Sequence, residues 1–191
     1  MVTHRPTFQG VLTLALAALA ACSGPPRRPA EYLDQDTAAS VASAAAPIVF
    51  ARAHQDVAVN SRQYATLVGA SVNRTGRYEY VLLVYLWSTV DPRLGAGAHP
   101  GDTLILLADD RAIRLQRDGH SLRDVGIAKP LDRPMHSRGP PRVYRIDQAT
   151  LKFVAGARRL RLQLEGDSDP RPFEIWEDGR RELAQLASAA N

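Results

Sequence analysis

The sequence predicts a mainly β protein, an antiparallel β-sandwich with one or two short helices packed on it. The alternative is an α+β layer in which a helix lies across a single antiparallel sheet. Three observations lead there. Apolar runs at 64–72 and 78–89, and again at 103–107 and 112–116, are each separated by a short turn-forming segment. Leu160, Leu162 and Leu164 alternate with Arg159, Arg161 and Gln163, the period-2 pattern of a strand with one wet face. Helical spacing is confined to two short segments. Of the 191 residues, 45% are hydrophobic and 23% charged, proportions of an ordinary globular chain, so one folded domain is expected over 32–191.

Taken in order, the first hairpin turns at Asn73-Arg74-Thr75-Gly76-Arg77, where Asn and Gly tolerate left-handed backbone angles. Its second strand contains Val81-Leu82-Leu83-Val84-Tyr85-Leu86-Trp87, apolar at both parities. Neither face of such a strand is left in water without a large penalty, so it is expected to be central and covered on both sides, with the two helices as natural covers. Asp109-Asp110 forms the second turn, since either carboxylate can bond its own backbone. The segment 119–142 holds four prolines and is expected to be irregular surface. A strand follows at 143–146. Asp147 then reads as an N-cap, Leu151, Val154 and Ala155 share one helical face, and Gly156 stops the helix. After the strand at 159–164, residues 180–187 carry a stripe of Leu183, Leu186 and Ala187 that Asp178 is placed to cap.

The amino-terminal end reads as an address. Residues 1–21 have Arg5 near their start, an apolar run over 11–21 and no acidic residue. The run is about half the length of a spanning helix, so a cleaved signal peptide is expected. It ends in Leu19-Ala20-Ala21-Cys22, which resembles the lipobox of bacterial lipoprotein precursors. That resemblance implies a diacylglycerol on the sulfur of Cys22, cleavage just before it and acylation of the new amino group. It also implies the outer membrane, because Ser23 stands where inner-membrane retention usually shows Asp. Two or three acyl chains hold a protein on a bilayer where one holds weakly. Residues 22–31 form a proline-rich tether, and the path from Cys22 to Tyr32 spans at most roughly 30 Å. The resemblance covers the first 22 residues and says nothing of the domain.

Chemistry is harder to find. Cys22 is the sole cysteine, which excludes a disulfide framework and a thiolate metal cluster. Gly119-His120-Ser121-Leu122-Arg123 falls one residue short of the Gly-x-Ser-x-Gly elbow, and Asp124 or Asp132 followed by His136 would supply acid and base in hydrolase order. Arg123 is a poor occupant of a position that needs a small residue. His54, His99, His120 and His136 with Asp102, Asp109 or Asp110 are types that ligate zinc, but no two histidines stand at metal-binding spacing. Gly95, Gly97 and Gly101 lack the Lys-Ser/Thr ending of a phosphate loop. The net charge of +4 falls to +3 without Arg5 and does not announce nucleic acid as a partner.

Three classes of function stay open. The leading one is a non-enzymatic envelope lipoprotein, an accessory or assembly subunit held on the bilayer through acylated Cys22 and meeting an envelope protein. The second is a binding module for a lipid, a glycan or another small molecule, with Tyr80, Tyr85 and Trp87 as groove aromatics. The third is a serine hydrolase using Ser121 and His136. No cofactor and no metal are expected, and no ligand-binding residue is assigned within the domain.

Overall fold

A computed structural model describes residues 28–53, 61–90, 102–119, 121–167 and 169–189. Along them run the strands β1 (Ala30–Asp34), β2 (Ala39–Ser43), β3 (Ile48–Ala53), β4 (Arg62–Arg74), β5 (Arg77–Ser88), β6 (Thr103–Ala108), β7 (Arg111–Gln116) and β8 (Arg142–Ile146), then helix α1 (Gln148–Gly156), strands β9 (Leu160–Leu164) and β10 (Phe173–Glu177), and helix α2 (Arg180–Ala189). Every strand pairing is antiparallel. The lipobox, Cys22 and most of the tether lie outside the described residues, as do His54, His99, His120 and Gly95, Gly97 and Gly101. Ala30 and Glu31 pair with Ser43 and Ala42 in β1. Among the described residues no helix is long and apolar enough to cross a membrane.

The β4–β5 hairpin is tighter than the five-residue loop expected. Thr75 and Gly76 alone form the turn, with φ of 52° and 86°, and Asn73 contributes its side chain, which accepts a hydrogen bond from the Gly76 N–H at 2.9 Å. β2 and β3 lie end to end along one edge of β4, while β5 takes the other edge and carries β8. From β3 the ladder continues through β10, β9 and β6 to β7. The two layers of the sandwich are therefore one continuous sheet folded over. Arg117 makes a single bridge to Tyr144 where β7 nears β8, and the sheet is not closed into a barrel.

The two-sided strand is covered on both faces, one by the facing strands and both helices, the other by a loop. Tyr80, Leu82, Val84 and Leu86 of β5 face inward and pack with Ile48, Leu67, Leu104, Leu106, Leu162 and Phe173 and with both helices. The second face, Val81, Leu83 and Tyr85, is covered by the irregular segment 121–141, which buries Val125 and Ile127 completely. Each of those two side chains contributes about 1.5–3 kcal/mol by leaving water. That segment is irregular as expected, yet it is a lid over the sheet rather than mere surface. It is tied down by the Ala128 N–H to Asp34 (2.7 Å), the Thr37 hydroxyl to the Gly126 carbonyl (2.8 Å) and the Tyr85 hydroxyl to the Leu131 carbonyl (2.9 Å).

Both helices form where the pattern places them. The Asp147 side chain accepts from the Thr150 N–H at 2.8 Å, and Leu151, Val154 and Ala155 are buried. In α2, Leu183, Leu186 and Ala187 are buried, and Asp178 accepts from the Arg180 N–H at 3.1 Å. The first helical bond, however, runs from Leu183 to the carbonyl of Gly179, so Gly179 holds the N-cap position and Asp178 precedes it.

Several of these carboxylates make stability depend on pH. Backbone donors hold Asp34 and Asp109 below the usual carboxylate range, the Thr150 hydroxyl does so for Asp147, and Arg171 takes Asp169 down to about 2. A carboxyl depressed in the folded state stabilises it fully above the unfolded value of about 4, and the contribution is lost as pH falls through the folded value. The expected result is a melting temperature that is flat above about pH 5 and drops between about pH 4 and 2. Circular dichroism melts across that range check it, and a flat profile down to pH 2 contradicts it.

Candidate functional site

A concave site with aromatic walls lies on the outer face of the β4–β5 hairpin, at the end away from the Thr75-Gly76 turn. The hairpin register sets Tyr64 directly opposite Trp87, and their rings stack with centroids 4.2 Å apart and planes 11° from parallel. The Trp87 indole N–H donates to the Thr66 hydroxyl at 2.9 Å, which fixes its orientation. Trp176 of β10 meets Tyr64 edge-on at 6.3 Å and 80°, so the two rings form a right-angled corner. Arg62 lies 4.7 Å over the Trp176 ring, and His136 stacks on Trp87 at 5.9 Å. Trp176 comes into place because β10 breaks register against β3 between Ile175 and Glu177.

Beside these rings is a hollow of about 280 Å³, lined by Pro47, Val49, Tyr64, Thr66, Trp87, Asp132, Pro134, Trp176 and Glu177. Asp132 takes a left-handed φ of 42°, and desolvation pushes its carboxyl above the usual range. Neither the Asp132 nor the Glu177 carboxylate has a hydrogen bond or ion pair among the described residues. Trp176 is 53% exposed, a large apolar surface left facing solvent.

The aromatics named from the sequence are divided by the strand's alternation. Trp87 lines the hollow, whereas Tyr80 points into the core on the opposite face. Tyr85 shares a face with Trp87 but is buried under the lid, with its phenol pushed up to about 12 by burial. Tyr64 was legible in principle, since counting back from a two-residue turn at Thr75-Gly76 sets it across from Trp87. Trp176 arrives from far along the chain, and no local pattern marks it.

The hydrolase residues do not assemble. The Ser121 hydroxyl donates to Asp124 at 2.8 Å, capping a single turn that Gly126 ends with φ 92° and with bonds from Gly126 to Arg123 and from Ile127 to Leu122. His136 stacks on Trp87 instead of serving that hydroxyl. Asp109 is a turn residue with φ 51° that bonds the Arg159 N–H at 2.9 Å, and Asp102 pairs with Arg117 at 3.3 Å. Among the described residues no three His, Cys, Asp or Glu side chains converge as a metal site.

A second, larger hollow of about 550 Å³ adjoins the start of β1, between Arg28, Pro29, Ser40, Ser71, Tyr78 and the last turn of α2. Its exposed lining is mostly apolar, with Arg28 and Glu31 as its charged residues. Compared with protein-family models, with curated proteins and with solved structures, the chain matches none.

Proposed function

We propose that this chain is a bacterial envelope lipoprotein, anchored through acylated Cys22 at the periplasmic face of the outer membrane, whose β-rich domain is a non-enzymatic binding module. The lipobox Leu19-Ala20-Ala21-Cys22 supports the anchor. The observation that carries the binding reading is the corner of Tyr64, Trp87 and Trp176, beside which Asp132 and Glu177 carry carboxylates with no side-chain partner among the described residues. Such a constellation is suited to recognition. The short tether keeps the hollow near the membrane, so what it binds is expected to be in or close to the bilayer.

A second reading, an accessory subunit that pairs with an envelope protein, is favoured by β1. This edge strand pairs on one side with β2, exposes Tyr32 and Leu33 at 37% and 67%, and begins where the tether ends.

Two measurements test the proposal. The Cys22→Ala protein is expected to move from the membrane pellet to the soluble fraction while melting like the wild type; retention in the pellet overturns the anchor. Native mass spectrometry of protein taken from its own membranes is expected to show a bound small species that the Trp87→Ala/Trp176→Ala double variant loses. A wild-type spectrum of bare protein overturns the binding module.

A further inference from the structure

We propose that the aromatic hollow binds a small alkylated ammonium cation of the choline type, either free or as a headgroup. This rests on the binding-module reading and names its ligand. Three features select that chemistry. Rings at right angles offer two walls to a cation, and tryptophan and tyrosine are the strongest aromatic partners for one. The two charged groups lining the hollow, Asp132 and Glu177, are both carboxylates with no side-chain partner among the described residues, and Arg62 reaches the Trp176 ring without lining the hollow.

The third feature is that one of the ring donors is already engaged within the protein. The Trp87 indole N–H is already given to Thr66. A phosphate or carboxylate ligand would meet two negative charges, and a sugar would need paired donors and acceptors around a flat platform. A quaternary ammonium needs no hydrogen bond, only negative potential and apolar contact. The volume of about 280 Å³ lies just under the range of drug-sized pockets and suits a headgroup-sized ion. Desolvation of Asp132, held in a left-handed conformation in the lining, leaves a carboxylate whose charge a bound cation would compensate.

The protein carries its own reporter, because its two tryptophans, Trp87 and Trp176, both line this hollow. The experiment is a tryptophan-fluorescence titration of the soluble Cys22→Ala chain with choline chloride at constant ionic strength. Its neutral isostere 3,3-dimethyl-1-butanol is titrated in parallel. Choline is expected to give a saturable change that the isostere does not. Asp132→Asn and Trp176→Ala are each expected to weaken choline by about tenfold, with unchanged melting temperatures. Flotation with phosphatidylcholine but not phosphatidylglycerol vesicles identifies a headgroup as the source, and binding of choline without flotation identifies a free ion.

Equal response to choline and the isostere, or no response to choline, overturns the inference. The binding-module reading fails separately, only if the native spectrum shows bare protein. A neutral or anionic species in that spectrum keeps the module and removes the cation.

Discussion

Replacing Arg52 with methionine is expected to lower the stability of the fold by about 3–5 kcal/mol, a drop of roughly 6–20 °C in melting temperature for a domain of this size. Arg52 is the penultimate residue of β3 and is 6% exposed. Its Nε donates to the Gln63 side chain at 2.7 Å, Nη1 to the carbonyls of Asp169 and Arg171 at 2.9 and 3.1 Å, and Nη2 to the Asp167 carboxylate at 2.8 Å. The guanidinium also lies 4.2 Å over the buried ring of Phe173. One planar fork thus ties the β9–β10 connection to β3.

Methionine fills much of the same space but leaves the Asp167 carboxylate, 3% exposed, buried without its cation, and two carbonyls without donors. The exposed pair Arg114–Glu165 serves as a control: its side chains are 59% and 51% exposed, and Arg114→Ala is expected to leave the melting temperature nearly unchanged. Replacing both members of the buried pair, as Arg52→Met with Asp167→Leu, is expected to recover most of the loss, because the orphaned charge is then gone. Urea denaturation of the four proteins measures this. An Arg52→Met shift no larger than that of Arg114→Ala would refute the role assigned here.

Arg52 also shows why part of the molecule could not be read from the chain. It is one of many arginines, and its partners on the β9–β10 connection lie more than 110 residues away, so nothing local separates it from a solvated arginine. What was legible was whatever short-range chemistry determines. Asp147 and Gly156 bound α1, the leucines of β9 alternate, and the β4–β5 hairpin follows from its turn. The apolar run of β5 announced two covers and could not say which element supplied each. Val125 and Ile127 sit in a proline-rich stretch without periodicity, so their burial depends on anchors to Asp34 and Thr37 from the far end of the domain. β1 and β2 gave weak signals because β1 is largely exposed and β2 is built from alanine and serine around a single valine. Half of the aromatic hollow was within reach of register counting; the contribution of β10 was not.

Gly179→Ala is expected to be more damaging than Gly69→Ala, and to weaken ligand binding along with the fold. A Cβ at this position would stand 2.3 Å from the Pro47 carbonyl oxygen and 2.7 Å from that of Ala46, both backbone atoms. Gly69 offers the comparison. A Cβ there would meet Leu183 Cδ1 at 2.2 Å, but that atom is the end of a side chain that can rotate away. Backbone cannot rotate away, so the helix start must move or the bend at 44–47 must open. Overpacking of this kind costs about 1–3 kcal/mol and more when backbone is the obstacle, so the Gly179 variant is expected at the upper end and Gly69→Ala at the lower. The consequence for function follows from position. Gly179 stands two residues after Glu177 and presses on Pro47, and both of those line the aromatic hollow. Displacing α2 from the bend therefore shifts two walls of the site together with Trp176. In Gly69→Ala the strain falls on the inner face of β4, away from the hollow. Choline titrations and thermal melts of the two variants separate these effects: Gly179→Ala is expected to lose both stability and binding, and Gly69→Ala stability alone. Equal binding losses in the two would show that the hollow answers to global stability and not to the Gly179–Pro47 contact.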